Sequence, residues 1–337
     1  MTTAQAQAPG GADYAELRRL ISQSGLKPKP LYYPVKITAT LAAFGLAIFL
    51  AIAFNHPAIL ILDAIFMGVV CGQIELIGHD AGHNQLLRKG RIVHPARWLL
   101  GNVFLGISYS WWVKKHNQHH ATPNHLQEDP DVDYRMIAFF APQAKTRPKL
   151  LRPLIAIQAY IYIFWLMLQV PNMTYYGIKH IRKGFAKYPV AEMAGIAVHF
   201  ALYVFLMLQL PSWHMAVVFG VVHHVTLGLY NGMIFSPNHV GMAHISNEER
   251  SDYVREQVVT ARNLVSHPVT DFCYGGLNYQ IEHHLFPNMP RYQLKKIQPT
   301  VRAFCKERGI SYYETGAFTS FKEVFAHLHR ASAPLRP

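Results

Sequence analysis

The amino-acid sequence predicts an all-α integral membrane protein, with four transmembrane helices, interfacial helices beside them and a cytosolic helical cap carrying a di-metal site. Three observations lead there. Of the 337 residues, 51% are apolar, and they collect into uncharged runs of roughly 17 to 25 residues, the length that crosses a hydrocarbon core about 30 Å thick. The net charge of +13 reads as Lys and Arg in cytoplasmic loops near anionic lipid, and no aromatic-basic repeat points to nucleic acid. The 20 histidines include three clusters at helix-compatible spacing.

Residues 1–12, rich in Ala, Gln, Gly and Thr, read as disordered, and a short amphipathic helix runs from Tyr14 to Ser24 and stops at Gly25. Residues 1–35 form a cytosolic segment, too polar and too long before the first apolar run to be a cleavable signal. Arg18, Arg19, Lys27, Lys29 and Lys36 then orient the first span, residues 37–54, outward. The chain turns at Asn55, His56 and Pro57 and returns as residues 58–77, so His79 emerges on the cytosolic side ahead of Arg88, Lys89 and Arg91.

Residues 98–112 are apolar but short for a span, and Trp98 and Trp112 favour the interface, so they read as an interfacial or re-entrant helix. Three apolar runs remain: 150–170, 190–210 and 213–235. An even number of crossings is needed to bring the last histidine cluster to the side of the first. The basic stretch Lys179, His180, Arg182, Lys183 and Lys187 reads 150–170 as interfacial or re-entrant in the inner leaflet, against the alternative that it crosses on hydropathy alone, and 190–210 with 213–235 form a hairpin turned by Pro211 and Ser212. Residues 239–337 read as a cytosolic cap with helices from Arg291 and Phe321, and residues 36–337 as a single domain in the cell (inner) membrane. Cys71, Cys273 and Cys305 are widely separated with no C-x-x-C, so they read as reduced structural thiols.

His79 and His83 have H-x-x-x-H spacing, His116, His119 and His120 have H-x-x-H-H spacing, and His283 and His284 follow Gln280 at the same spacing. Seven imidazoles are more than one first-row ion can use, which points to two metals, and the ligand type leaves iron, zinc, copper or nickel open. A single H-x-x-H-H box arises by accident in roughly one chain in ten at this histidine frequency; three boxes, all in polar segments at the cytosolic ends of apolar runs, do not. A ligating imidazole hands its second N–H to a carboxylate or carbonyl. Glu75, Asp80, Asp129 and Asp131 are the candidates for that role, against the alternative that Asp129-Pro130-Asp131-Val132-Asp133 is a solvated turn. Gln280 is a poor ligand, so the site is one imidazole short, and His239, after Asn238 at the end of the last span, is favoured over His244 to supply it. His56, His94, His180, His199, His214, His267, His327 and His329 have no partner at helical spacing; His125 lies near the second box, and His223 and His224, inside a span with Tyr230 and Asn231, read as hydrogen bonds between helices.

These residues resemble the membrane fatty acid desaturases, over nearly the whole chain after Tyr14. The third box, Asn278-Tyr279-Gln280-Ile281-Glu282-His283-His284-Leu285-Phe286-Pro287, is similar to the front-end subgroup and to the bacterial acyl-CoA or acyl-lipid desaturases grouped with it. The resemblance implies two iron ions cycling between Fe2+ and Fe3+, held by His79, His83, His116, His119, His120, His283 and His284, with His239 matching the ligand after the last span. Gln280, which can still orient a water or donate a hydrogen bond, and Asn238 are further candidates for second contacts; Phe235 stands where related enzymes place a metal-facing Asn. The resemblance further implies dioxygen as co-substrate and a cis double bond introduced into an acyl-CoA or acyl-lipid lying within the lipid bilayer. With no H-P-G-G, cysteine cluster or G-x-G-x-x-G in the chain, no bound haem, flavin or nicotinamide is expected, and the electrons come from a separate ferredoxin or b-type cytochrome with its reductase. The alternative is a hydroxylase on the same scaffold; a metal transporter would string His and acidic residues through its spans, and a zinc protease would carry H-E-x-x-H.

Overall fold

The computed structural model describes residues 11–86 and 93–337; Arg88, Lys89 and Arg91 and most of the expected disordered segment lie outside them. The described residues are mostly helical, with one two-residue parallel strand pair, Asn263–Leu264 against Glu314–Thr315. The N-terminal helix runs Gly11–Gln23, three residues ahead of Tyr14. Four helices are long and apolar enough to cross a membrane: Tyr32–Ala53, Pro57–Gly82, Pro189–Leu208 and Trp213–His239, the four-span helical membrane class that the hydropathy predicts. Pro57 and Pro189 sit in the first turns of theirs, where the missing N–H leaves no bond unmade. Large apolar side chains stand exposed along these helices, Leu62, Leu202, Phe205 and Val217 among them, as lipid rather than water requires.

Two of the apolar runs are not single helices. Across residues 98–112 a helix Val93–Trp98 passes into a π-helical stretch Leu99–Phe104, and a new helix starts at Tyr109. Gly106 makes the break: its φ is +65°, and a Cβ there would lie 2.4 Å from the His199 ring. The 150–170 run bends by 103° between Lys149–Ala156 and Gln158–Met167. Buried Gln158 pins the bend: its Nε2 donates to the Ala138 and Leu328 carbonyls, and its Oε1 accepts from the Ala138 N–H. The basic helix Gln169–Arg182 follows.

By contact the described residues divide into two compact units, residues 29–86 and 93–116 with 163–233, and residues 11–28 with 117–162 and 234–337. In the first, the core joins Ala47, Leu60, Ala64 and Met67 to Phe219 and Leu227. In the second, Leu17 and Ile21 of the N-terminal helix pack with Val254, Val258, Ile281, Leu285, Ile297, Val301 and Phe304. That core holds the Gln280–Leu285 helix of the third box between its neighbours.

Candidate metal centre

In the unit of residues 29–86, 93–116 and 163–233, His79 and His83 end the second span one turn apart, and His116 reaches them from the Tyr109–Ala121 helix. His116 Nε2 lies 3.1 Å from His79 Nε2 and 2.9 Å from His83 Nε2. Trp112, one turn before His116, stacks on its ring at 4.5 Å between centroids and limits its rotation. Asp80 Oδ1 is 3.6 Å from His79 Nδ1, an ion-pair rather than a hydrogen-bond distance. Glu75 lies beside Asn231 of the last span. An apolar cavity of about 340 Å³ lies between the first two spans and residues 93–104, lined by Ile37, Ile74, Ile77, Ala81, Leu100 and Phe104. Ala81 is about 200° around the helix from both His79 and His83, so the histidines sit on the face away from this cavity.

The other unit assembles five imidazoles. The ligand nitrogens of His119, His239 and His284 lie within 4.8 Å of one another, and His120 Nε2 is 3.1 Å from His283 Nε2. The far nitrogens are anchored. His119 Nδ1 donates to the Asp129 carboxylate at 3.0 Å, with Asp131 at 3.5 Å; His239 Nδ1 donates to the Thr260 carbonyl at 2.9 Å; His284 Nδ1 donates to Gln257 Oε1 at 2.9 Å. Each such bond leaves the Nε2 lone pair facing its neighbours. Asp129 is itself held, accepting from the Asn124 and Asp131 N–H groups at 2.7 and 2.8 Å, so the acidic run is a built turn. Burial, reinforced by His120 and His239, holds the His284 imidazole well below its usual pKa, which keeps it neutral.

Gln280 stands beside His239, its Nε2 donating to His239 Nε2 at 2.9 Å, and Asn238 Nδ2 donates to Gln280 Oε1 at 3.0 Å, which orients that amide. His244 lies elsewhere, stacked on His327 and tilted against Phe140. His223 meets the Tyr203 hydroxyl and His224 donates to the Gly220 carbonyl, as hydrogen bonds within the span region. His125 Nδ1 accepts from the backbone N–H of Glu128 at 3.2 Å rather than from a box residue.

Burial first, and then His327, push the His244 imidazole down to about 4 from an ordinary 6.5. Between those values the unfolded chain binds the proton that the folded chain refuses, so stability rises with pH across that window and levels off above it. His244→Phe is expected to flatten the pH dependence of the unfolding temperature between pH 4 and 6.5; a variant keeping the full wild-type slope would assign the slope to other groups.

Several positions around the boxes carry no sequence signature. Asn124, at φ +53°, donates through Nδ2 to the His239 carbonyl at 3.0 Å. Glu282, inside the third box, is fully buried and pushed up to about 7 by burial, and accepts from Asn263 Nδ2 and the Tyr312 hydroxyl. Asn263 Oδ1 in turn accepts from the Ile281 N–H, so this network grips the third-box helix by its backbone. Tyr14 and Tyr253 donate to the Leu285 and His284 carbonyls.

The donor set fits a first-row transition ion. It is nitrogen-rich, its imidazoles converge through Nε2, and His284 Nε2 is buried without a hydrogen-bond partner, a position a metal would satisfy. Fold and site thus define a helical membrane protein with histidine clusters that could hold a metal ion. The fatty acid desaturase family model matches residues 55–316, most of the chain, and the chain belongs to that family. It is an oxidoreductase that introduces a double bond into fatty acyl chains. It is similar to a Delta(5) fatty acid desaturase of Caenorhabditis elegans, 28% identical over 96% of this chain and 75% of that protein. An acyl-lipid (9-3)-desaturase of Physcomitrium patens is 28% identical over 94% of this chain and 62% of its own length, and a Delta(6)-fatty-acid desaturase of Caenorhabditis elegans 27% over 91% and 72%. The chain therefore spans from under two thirds to three quarters of these relatives.

Proposed function

We propose that His79, His83, His116, His119, His120, His239, His283 and His284 hold two iron ions with which this desaturase forms a cis double bond in an acyl-CoA or acyl-lipid. The observation that carries the reading is the convergence of His119, His239 and His284 with every Nδ1 already engaged and His284 Nε2 unpartnered. Bound iron supplies the activation of dioxygen, by which two hydrogens leave adjacent methylenes and oxygen ends as water. The chain's own residues do the holding. Asp129 keeps the proton on His119 Nδ1, the Thr260 carbonyl keeps it on His239 Nδ1, and Gln280 with Asn238 presents an amide N–H beside His239. Imidazole also suits an oxidising site, where thiolate would itself be oxidised.

The Q-x-x-H-H spacing at Gln280 and the relatives' names support a front-end-like enzyme. Lys29, Lys36, Lys179, Arg182, Lys183 and Lys187 support a cytosolic face in the cell (inner) membrane. A separate ferredoxin or b-type cytochrome with its reductase would supply two electrons there; an acidic carrier would bind more weakly as salt rises. The test is expression in a host lacking the activity, with an electron donor, and mass spectrometry of derivatised acyl chains to locate new double bonds. Unsaturation at one position is expected. An iron-loaded preparation yielding only hydroxylated chains would overturn the reading in favour of a hydroxylase.

A further inference from the structure

We propose that Gln257 is a positioning residue of the metal centre, fixing His284 as its Nδ1–H tautomer and tying that ring to the backbone of the second histidine box. The inference rests on the iron-binding reading above and concerns a residue that supplies no ligand. Gln257 is 1% exposed, on the short helix Tyr253–Val259. That helix cannot easily rotate: Asp252 caps it by accepting from the Arg255 N–H, and Val254 and Val258, on either side of Gln257, are fully buried in the core.

Both ends of the amide are used. Its Nε2 donates to the His120 carbonyl at 3.0 Å, and its Oε1 accepts from His284 Nδ1 at 2.9 Å. A backbone carbonyl only accepts, so the NH2 group must face His120 and the oxygen must face His284. The oxygen in turn only accepts, so the hydrogen of a neutral His284 must be on Nδ1. The lone pair is then on Nε2, the buried atom without a hydrogen-bond partner. With the opposite tautomer an N–H would point where a metal has to bind. The same short segment grips two more points of the centre: the Tyr253 hydroxyl donates to the His284 carbonyl at 3.1 Å, and the Thr260 carbonyl accepts from His239 Nδ1. A segment without a ligand thus touches His120, His239 and His284.

The experiment uses the full-length protein purified in detergent and titrated with Fe(II) against a competing chelator, and with Co(II), whose visible bands report ligand geometry. Gln257→Leu removes both bonds. It is expected to weaken the affinity of one site about 10–100-fold, the usual effect of losing such a partner, and to lower bound iron below two per chain while helical content by circular dichroism stays at the wild-type level. Gln257→Glu keeps the acceptor for His284 Nδ1–H, adds negative charge and loses the donor to His120, so it is expected to keep both ions with shifted Co(II) bands. A folded Gln257→Leu protein with wild-type iron content and affinity would overturn the proposal. Should that variant fail to fold, a Gln257→Glu protein whose Co(II) spectrum superimposes on wild type would overturn it instead. A wild-type protein that binds neither ion would fail earlier, and would overturn the iron reading itself.

Discussion

His119→Ala is expected to abolish turnover and to lower bound iron below two per chain. His119 sits where the most constraints meet: its Nε2 is 3.3 Å from His239 Nε2, its ring centroid 5.1 Å from that of His284, and its Nδ1 is held by Asp129. Alanine removes a proposed ligand and leaves the buried Asp129 carboxylate facing a void. Asp129→Asn separates ligation from orientation, because it keeps His119. Asp129 accepts on both oxygens, from His119 and from the Asn124 and Asp131 N–H groups, whereas one end of an asparagine would place its own NH2 against a donor. The expected cost is about 1–3 kcal/mol of stability for the unmatched donor and roughly 10–100-fold in metal affinity. Metal analysis and thermal unfolding read both quantities. Unchanged iron in His119→Ala would remove that residue from the ligand set.

The parts of this site that could be read in the sequence are those written as covalent spacing. His79 and His83 are four apart, so helical periodicity alone brings their rings together, and the spacings of the other two boxes mark them as clusters, although His119 meets His239 and His120 meets His283 only through the fold. His239 was legible through its place at the end of a span. Gln257, Thr260, Asn124, Asn263 and Tyr312 were not, for a physical reason: they act through contacts between segments far apart in sequence, and Thr260 acts through a carbonyl that every residue possesses. The four spans were legible because hydropathy is a property of each segment by itself. The breaks at Gly106 and Gln158 come from particular tertiary contacts, with His199 and with Ala138 and Leu328, that hydropathy does not encode.

Gly72→Leu is expected to be strongly destabilising. Gly68-Val69-Val70-Cys71-Gly72 is a small-xxx-small pattern of the kind that lets membrane helices approach closely. A Cβ at Gly68 would lie 2.8 Å from Thr226 Cβ, and one at Gly72 only 2.2 Å from Tyr230 Cδ1. Tyr230 cannot readily withdraw, because its hydroxyl accepts from Gln73 Nε2 at 2.5 Å and the Gln73 amide oxygen accepts from Lys36 Nζ at 2.8 Å. Continued along the helix, the glycine stripe passes through 75 and 76 to His79 and His83, since offsets of four and seven stay on one face. The packing of Trp213–His239 against Gly68 and Gly72 therefore sets the rotation of Pro57–Gly82, and with it the direction in which the first box points. Overpacking of this kind costs about 1–3 kcal/mol, occasionally more, and any relief by rotation moves His79 and His83 relative to His116. Gly45→Leu in the first span is the control, because a Cβ there meets nothing within 4 Å. In detergent, Gly72→Leu should unfold at a lower temperature than Gly45→Leu and bind less iron. Equal unfolding temperatures and equal iron content in the two variants would show that the close approach at Gly72 does not set the position of the first histidine box.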